Sequence, residues 1–248
     1  MTETLVGKCA WITGGGSGIG KAAALELAAA GAEVVVSGRR AAPLQAVVDE
    51  ITAAGGRARA VPVDVTNVDA VTAAAEQIGS VDILLANAGL NVPRRGLFDL
   101  SAEDWQRVVD VNLNGVYYPA HAVLPGMRAR GGGQLILISS WAGRYAGRLT
   151  GPAYSATKRA VIALNEMIND EGGGYGIRST VIMPGEVATD ILDQRPNPPS
   201  AEVRARMLQV ADLAATVRFV AQMPPHACVN EILISPTWNR FYQGFDEV

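Results

Sequence analysis

Eight residues near the start of the chain, Thr13-Gly14-Gly15-Gly16-Ser17-Gly18-Ile19-Gly20, limit the possible folds more than any other stretch. Lys8 to Ile12, just before them, reads as a short buried strand. The segment after them, KAAALELAAAG, is a strong helix former that stops at Gly31. Glycines between a strand and a helix let the backbone approach a pyrophosphate, and the helix N-terminus presents free N–H groups to its charge. Glycine-rich turns also simply join elements, but the strand before and the helix after favour nucleotide binding.

The rest of the chain repeats this alternation. Glu33 to Ser37 predicts a second strand, followed from Pro43 by a helix to about Ala54. Arg59 to Val63 predicts a third strand, closing on Asp64-Val65-Thr66, with a helix from about Asn67 to Ile78. Asp82 to Ala86 is the fourth strand and runs into Asn87-Ala88-Gly89. Ser101 is an N-cap with an acidic first turn. It opens a long helix that carries Asn112, which Pro119 and Pro125 are expected to bend or interrupt. Gln134 to Ser139, Ile177 to Met183 and Glu231 to Ser235 complete the strands, with helices over Ala153–Ile168 and Ala211–Met223. The proline-containing stretch 191–210 predicts a loop with short helices, and the tail through Val248 has no clear pattern.

Strands alternating with helices imply a mostly parallel seven-stranded sheet covered on both faces, wound as a single α/β domain over 1–248. Residues 186–210 form a small substrate-covering segment on it. No composition shift marks a boundary, and no solenoid-length repeat occurs. Ligands of such sheets lie at the carboxyl ends of the strands, where the motifs above and below all fall.

Composition narrows the partners. A hydrophobic share of 49% against 18% charged supplies a sizeable core and argues against disorder. The net charge of −3, with no long basic run, excludes a general bias towards nucleic acid. The N-terminus has no basic region followed by a long apolar stretch, and no run is long enough to span a bilayer. A soluble, cytoplasmic protein is expected. Cys9 and Cys228 would suffice for a disulfide on count alone, but a large reduced domain is the better reading.

Chemistry concentrates between Ser139 and Lys158, SSWAGRYAGRLTGPAYSATK. On a helix started by Pro152, Tyr154 and Lys158 face the same way. A phenol titrates near ~10 in water. A neighbouring ammonium lowers that value and brings the phenol into useful acid–base range. A serine upstream is placed to hold a carbonyl or alcohol oxygen beside it. At the end of the second strand stand Arg39 and Arg40, with no acidic residue to take a ribose 2′-hydroxyl; an arginine there accommodates a 2′-phosphate, so NADP is expected over NAD.

Taken together, these residues resemble the short-chain dehydrogenase/reductase family over nearly the whole chain, in its short form. Thr13 to Gly20 looks like its TGxxxGxG, Asp64 its adenine-contacting acid, Asn87-Ala88-Gly89 its NAG element, and Pro184-Gly185 with Thr189 its nicotinamide-contacting segment. Asn112, Ser140, Tyr154 and Lys158 match its catalytic tetrad. The resemblance implies a Rossmann-type domain and an NAD(P)-dependent oxidoreductase acting on CH–OH groups. The implied cofactor contacts are Gly14, Gly16, Ser17, Gly18, Ile19, Gly20, Arg39, Asp64, Val65, Asn87, Ala88, Gly89, Tyr154, Lys158, Pro184, Gly185, Val187 and Thr189. It makes Tyr154 the general acid or base and Lys158 the group that lowers its pKa and binds the nicotinamide ribose. Ser140 becomes the ligand of the substrate oxygen, and Asn112 the holder of a relay water. Ser140 lies one residue further from Tyr154 than is usual, which leaves Ser139 as the runner-up. No metal is implied.

The substrate pocket is expected between Ser140 and Tyr154 and after Asn87-Ala88-Gly89 and Pro184-Gly185, with Ser140, Trp141, Arg144, Tyr154 and Glu186 as substrate contacts. Asn91, Arg94, Arg95, Tyr145 and Arg148 share these stretches. Four arginines near one mouth point to an anionic substrate, such as a hydroxy or oxo acid or a 3-oxoacyl thioester. The leading reading is an NADP(H)-dependent interconversion of a carbonyl and an alcohol. The rivals are an NAD(H)-dependent secondary-alcohol dehydrogenase and a non-catalytic nucleotide-sensing protein. A dehalogenase-like lyase and the extended epimerase branch fit the motifs less well. Family members usually form tetramers or dimers, so a homo-oligomer is expected, and EILIS is an edge strand that could meet its copy.

Overall fold

The structure, a computed structural model, describes residues 4–195, 197–239 and Tyr242. Among these, seven parallel strands pair in the order β3-β2-β1-β4-β5-β6-β7. They are β1 (Cys9–Thr13), β2 (Glu33–Ser37), β3 (Arg57–Ala60), β4 (Ile83–Ala86), β5 (Gly133–Ile138), β6 (Ile177–Pro184) and β7 (Glu231–Ile234). The helices are α1 (Gly18–Ala29), α2 (Ala41–Ala53), α3 (Val68–Ile78), α4 (Ala102–Val109), α5 (Gly115–Arg130), α6 (Trp141–Arg144), α7 (Pro152–Gly172), α8 (Ala201–Ala205) and α9 (Val210–Ala221).

Alternation along the strands sets the two faces, because successive side chains point to opposite sides of a sheet. Ile12, Val34, Val36, Leu85, Ile136 and Ile182 face α1, α2 and α9 in one core layer. Trp11, Val35, Leu84, Leu135, Leu137 and Val181 face α3, α5 and α7 in the other. The strands therefore read as continuous apolar runs, as expected of a parallel sheet buried on both sides. The strand order reverses at β1, whose neighbours are β2 and β4, and that reversal opens a crevice at the carboxyl ends.

Local signals act where the sequence puts them. The Asn67 side chain accepts from Ala70 N at 3.0 Å and that of Ser101 from Asp104 N at 3.1 Å, capping α3 and α4. Pro152 takes the first position of α7. Three expectations are corrected. The regular part of β3 ends at Ala60 rather than Val63, although Val61 N and Val63 N still donate to Val36 O and Gly38 O, each at 3.0 Å. Pro119 and Pro125 do not interrupt α5, which runs through both, because Val116, Ala120, Val123 and Met127 bury one face of it against the sheet. The irregular turn comes earlier, as a π-helical segment at Asp110–Asn114. The third concerns α7, which continues past Ile168 to Gly172 before a 3₁₀ turn ends at left-handed Gly176.

The stretch expected to cover the substrate contains a 3₁₀ turn, Asp190–Gln194, and the short α8. Pro196 in this stretch and most of the tail expected to be patternless lie outside the described residues.

Candidate active site

The glycine loop is shaped by what surrounds it. Gly14 and Gly18 have φ of +64° and +52°, a region side chains disfavour. A Cβ on Gly20 would collide with the Gly14 carbonyl oxygen. The Asn87 amide donates to both Thr13 O and Gly14 O at 3.2 Å, and Thr13 Oγ1 accepts from Asn87 N and Ala88 N, so the ends of β1 and β4 are sewn together beneath the loop. Ser17 stands at the N-cap of α1 without accepting a hydrogen bond from it. The first-turn N–H groups thus have no side-chain cap, and the loop leaves space beside them, which fits a dinucleotide pyrophosphate.

Two cavities meet at this loop. One is lined by Gly14, Gly16, Ser17, Arg39, Arg40, Asp64, Val65, Ala88 and Gly89. The other continues from Gly14, Ser17, Gly18, Ile19 and Asn87-Ala88-Gly89 to Ser140, Tyr154, Lys158, Pro184-Gly185, Val187 and Thr189. Gly20 supports the loop from beneath rather than lining either cavity. Arg39 and Arg40 are exposed at the end of β2. Asp64 accepts from Thr66 N and Thr66 Oγ1 through Oδ1.

Tyr154 is half-buried in the cavity wall. Burial pushes its pKa above the ordinary phenol value, while the neighbouring Ser140 hydroxyl and the charges of Arg195 and Arg95 pull it back. Lys158 was expected to do the lowering. Instead its ammonium, 5.7 Å from the Tyr154 ring centroid, donates to Ile138 O at 2.8 Å. Burial pulls Lys158 down to about 8.

The two serines separate cleanly. Ser139 is buried and donates to Lys158 O at 2.6 Å. The Ser140 oxygen accepts from Ala142 N at 3.1 Å, capping α6, and the residue lines the cavity beside Tyr154. Asn112 is fully buried, with its amide accepting from Leu90 N at 2.8 Å and donating to Leu90 O at 2.9 Å. It therefore clamps the loop after Asn87-Ala88-Gly89. A Cβ on Gly89 would stand 3.5 Å from both Asn112 Oδ1 and Lys158 Nζ, so the two side chains approach each other across that glycine.

On the substrate side the cavity is lined by Asn91, Arg95, Trp141, Leu149, Glu186, Ile191, Leu192 and Arg195. Trp141 and Glu186 thus lie where the sequence reading put them. Arg144 does not: like Arg94 and Arg148 it is exposed and off the cavity lining, because α6 directs it outward while its carbonyl accepts from Arg159. Arg195 was missed. It reaches in from the loop after β6 and pairs with buried Glu186 at 2.7 Å. The available signal was Glu186 itself, since a buried carboxylate calls for a cationic partner.

A groove of this kind, at the switch point of a parallel sheet, is where α/β oxidoreductases hold a dinucleotide. The model of the short chain dehydrogenase family matches residues 8–199, and the chain belongs to that family. It is 36% identical over 236 residues to an uncharacterized oxidoreductase of Staphylococcus aureus (strain USA300), covering 94% of this chain and 98% of that one. It is also 36% identical over 241 residues to a glycine betaine reductase of Emericella nidulans, but spans only 19% of that longer protein. A metagenomic short-chain oxidoreductase solved in complex with NADP superposes with a TM-score of 0.83 at 30% identity, covering 96% of this chain and all of that one. The protein is an NAD(P)-dependent oxidoreductase.

Proposed function

We propose that the protein is an NADP(H)-dependent oxidoreductase interconverting a carbonyl and an alcohol. The observation that carries this reading is the cavity in which Ser140, Tyr154 and Lys158 meet and which opens onto the glycine-lined groove. When bound, the nicotinamide cofactor supplies or accepts the hydride. Tyr154, held protonated through neutrality by burial, gives its proton to the carbonyl oxygen in reduction; as phenolate it takes the alcohol proton in oxidation. Ser140, whose oxygen is engaged by Ala142 N, has its hydroxyl proton available for the substrate oxygen as charge develops there. Lys158, which lines the same cavity, would hold a positive charge beside the nicotinamide ribose of a bound cofactor. Asn112 keeps the Leu90 backbone, and with it one wall of the cavity, in place.

NADP is favoured over NAD because Arg39 and Arg40 line the outer cavity where a carboxylate would read a 2′-hydroxyl. The NADP-bound relative supports the same choice. The working protein is read as a cytoplasmic homotetramer or homodimer acting on a small molecule. Exposed Phe219 on α9 and Leu233 on edge strand β7 are apolar positions that a second copy would cover. No described helix is long and apolar enough to cross a membrane.

The test is turnover of NADPH and NADH, followed by the reduced-nicotinamide absorbance, against aldehydes, ketones, oxo acids and acyl thioesters. Preferred turnover of NADPH is expected. Turnover with NADH alone overturns the cofactor choice, and tight cofactor binding without any turnover favours the nucleotide-sensing alternative.

A further inference from the structure

The substrate end of the cavity has an apolar wall beside the reacting groups. Trp141 directly follows Ser140 and lines the cavity, with Leu149, Ile191 and Leu192 around the same end. The whole cavity holds about 300 Å³ for nicotinamide and substrate together, so the position of one large side chain decides what fits.

The Trp141 indole is held from outside this lining. α6 is four residues long, too short to be stable or to orient its side chains by itself. Its backbone is set by α7, since a Cβ on Gly143 would stand 2.6 Å from Lys158 O and 2.7 Å from Ser139 Oγ. Two tyrosines that do not line the cavity pack on the indole. Tyr145 tilts against it with ring centroids 5.0 Å apart, and Tyr242 meets it edge to face at 5.3 Å and 82°. Edge-to-face contact at that distance is a favoured aromatic geometry. Tyr145 is the C-cap of α6 and moves with it, whereas Tyr242 ties the indole to the chain beyond β7.

That part of the chain is anchored around the site. Gly185 N donates to Ile234 O at 2.7 Å, and Pro236 packs so closely that its Cδ would stand 3.0 Å from a Cβ on Gly185. The Arg206 guanidinium covers the Trp238 ring at 3.8 Å, joining it to the C-cap of α8 in the covering segment. Asn239 is buried, and its carbonyl accepts from Tyr242 N at 3.1 Å. The chain after β7 thus meets the Pro184-Gly185 segment, the covering segment and α6, at Pro236, Trp238 and Tyr242. Tyr242 itself is 74% exposed, so little of the stability of the fold depends on its ring.

Resting on the reductase reading above, we infer that Tyr242 is a positioning residue for Trp141, and that the indole so held is the end wall that limits the size of the substrate. The larger substituent of the carbonyl compound is apolar and lies against Trp141 and Leu149, while the reacting oxygen lies between Ser140 and Tyr154.

The experiment measures kcat and KM for methyl ketones of increasing bulk, from propanone through acetophenone to acetonaphthone, with the full-length protein and the cofactor it prefers. In Tyr242→Ala, kcat/KM for the bulkiest ketones relative to the smaller ones is expected to rise about 10-fold, through KM. Tyr242→Phe, which keeps the ring, is expected to keep the wild-type ratio. In a Trp141→Ala background, where the wall is already gone, adding Tyr242→Ala is expected to change the ratio no further. A merely structural role would lower Tm and depress all ketones together with the ratio unmoved. That result overturns the inference and leaves the reductase reading intact. So does an effect of Tyr242→Ala that persists in the Trp141→Ala background, or a wild type that shows no size limit across the series. No turnover of any carbonyl compound with either cofactor sinks the reductase reading and this inference with it.

Discussion

Ser140 lines the cavity together with Tyr154, its side-chain oxygen accepting from Ala142 N at 3.1 Å, whereas Ser139, next to it, donates to the Lys158 carbonyl at 2.6 Å. On the proposed mechanism Ser140 faces the reacting oxygen, while Ser139, just after β5, is tied to α7. Ser140→Ala is expected to lower kcat by about 10²- to 10³-fold, as loss of one donor to a developing oxyanion does, with little change in Tm. Ser139→Ala is expected to cost about 1 kcal/mol of stability and to keep most of the activity. Steady-state kinetics with thermal denaturation of both variants checks the assignment, and a reversed pattern contradicts it.

The direction of the Tyr154 shift fixes the pH dependence. Burial, the largest influence, raises its pKa, so the protonated form that reduction requires persists through neutrality. Reduction should be flat there, whereas oxidation, which needs the phenolate, should climb with pH in the alkaline range. Ser140 pulls the Tyr154 pKa down, so Ser140→Ala should move the oxidation limb to higher pH. Profiles of kcat/KM in both directions test this, and a limb that moves down contradicts it.

Burying the Lys158 ammonium carries a stability cost. Its pKa falls from an ordinary 10.5 to about 8 on burial. Below about pH 8 both folded and unfolded chains hold the proton, and the folded chain bears the full cost of burying the charge. That cost is relieved as pH rises from about 8 towards 10.5. Lys158→Met, measured by urea denaturation without cofactor, is therefore expected to be more stable than wild type at neutral pH. The gain is about 1–3 kcal/mol, reduced by the lost bond to Ile138 O, and it shrinks in alkali. A neutral-pH destabilisation would mean that the ammonium is better compensated than its one backbone partner implies.

Gly20 lies beneath the cofactor groove, and a methyl there would strike Gly14 O and stand 2.6 Å from Asn87 Nδ2. Gly20→Ala should push the loop off the clamp that Asn87 provides. A cofactor dissociation constant more than about 10-fold weaker and a stability loss of about 1–3 kcal/mol are expected. Fluorescence titration with NADPH is the check; unchanged affinity would show that the loop can shift without losing its shape.

What the sequence made legible has a physical pattern. The β1–loop–α1 unit, the alternation of strands and helices and the position of Tyr154 follow from local signals: glycines that no side chain could replace, apolar runs, and Pro152 at a helix start. The side-chain groups that close the site were harder to read. Arg195 meets Glu186 across an irregular loop with no periodicity to align them, and the loop that carries Arg95 is fixed by the Asn91–Thr150 bond and by Gly151 packing on the Arg95 carbonyl, pairings distant in sequence. Arg144 misled because nearness in sequence to Ser140 does not set the direction of a side chain on the short α6. The π turn at Asp110–Asn114, which seats Asn112, left no sign in composition, and prolines that look disruptive in α5 are tolerated because packing outweighs two missing donors.

The central claim, that Tyr154 is the proton donor of an NADP-dependent carbonyl reduction, is tested most directly by NADPH turnover in Tyr154→Phe, with the NADPH dissociation constant measured on the same preparation. The account predicts a fall in kcat of about 10²- to 10⁴-fold with cofactor affinity little changed, since the ring and its surroundings remain. A variant that keeps near wild-type kcat while binding NADPH normally would contradict it.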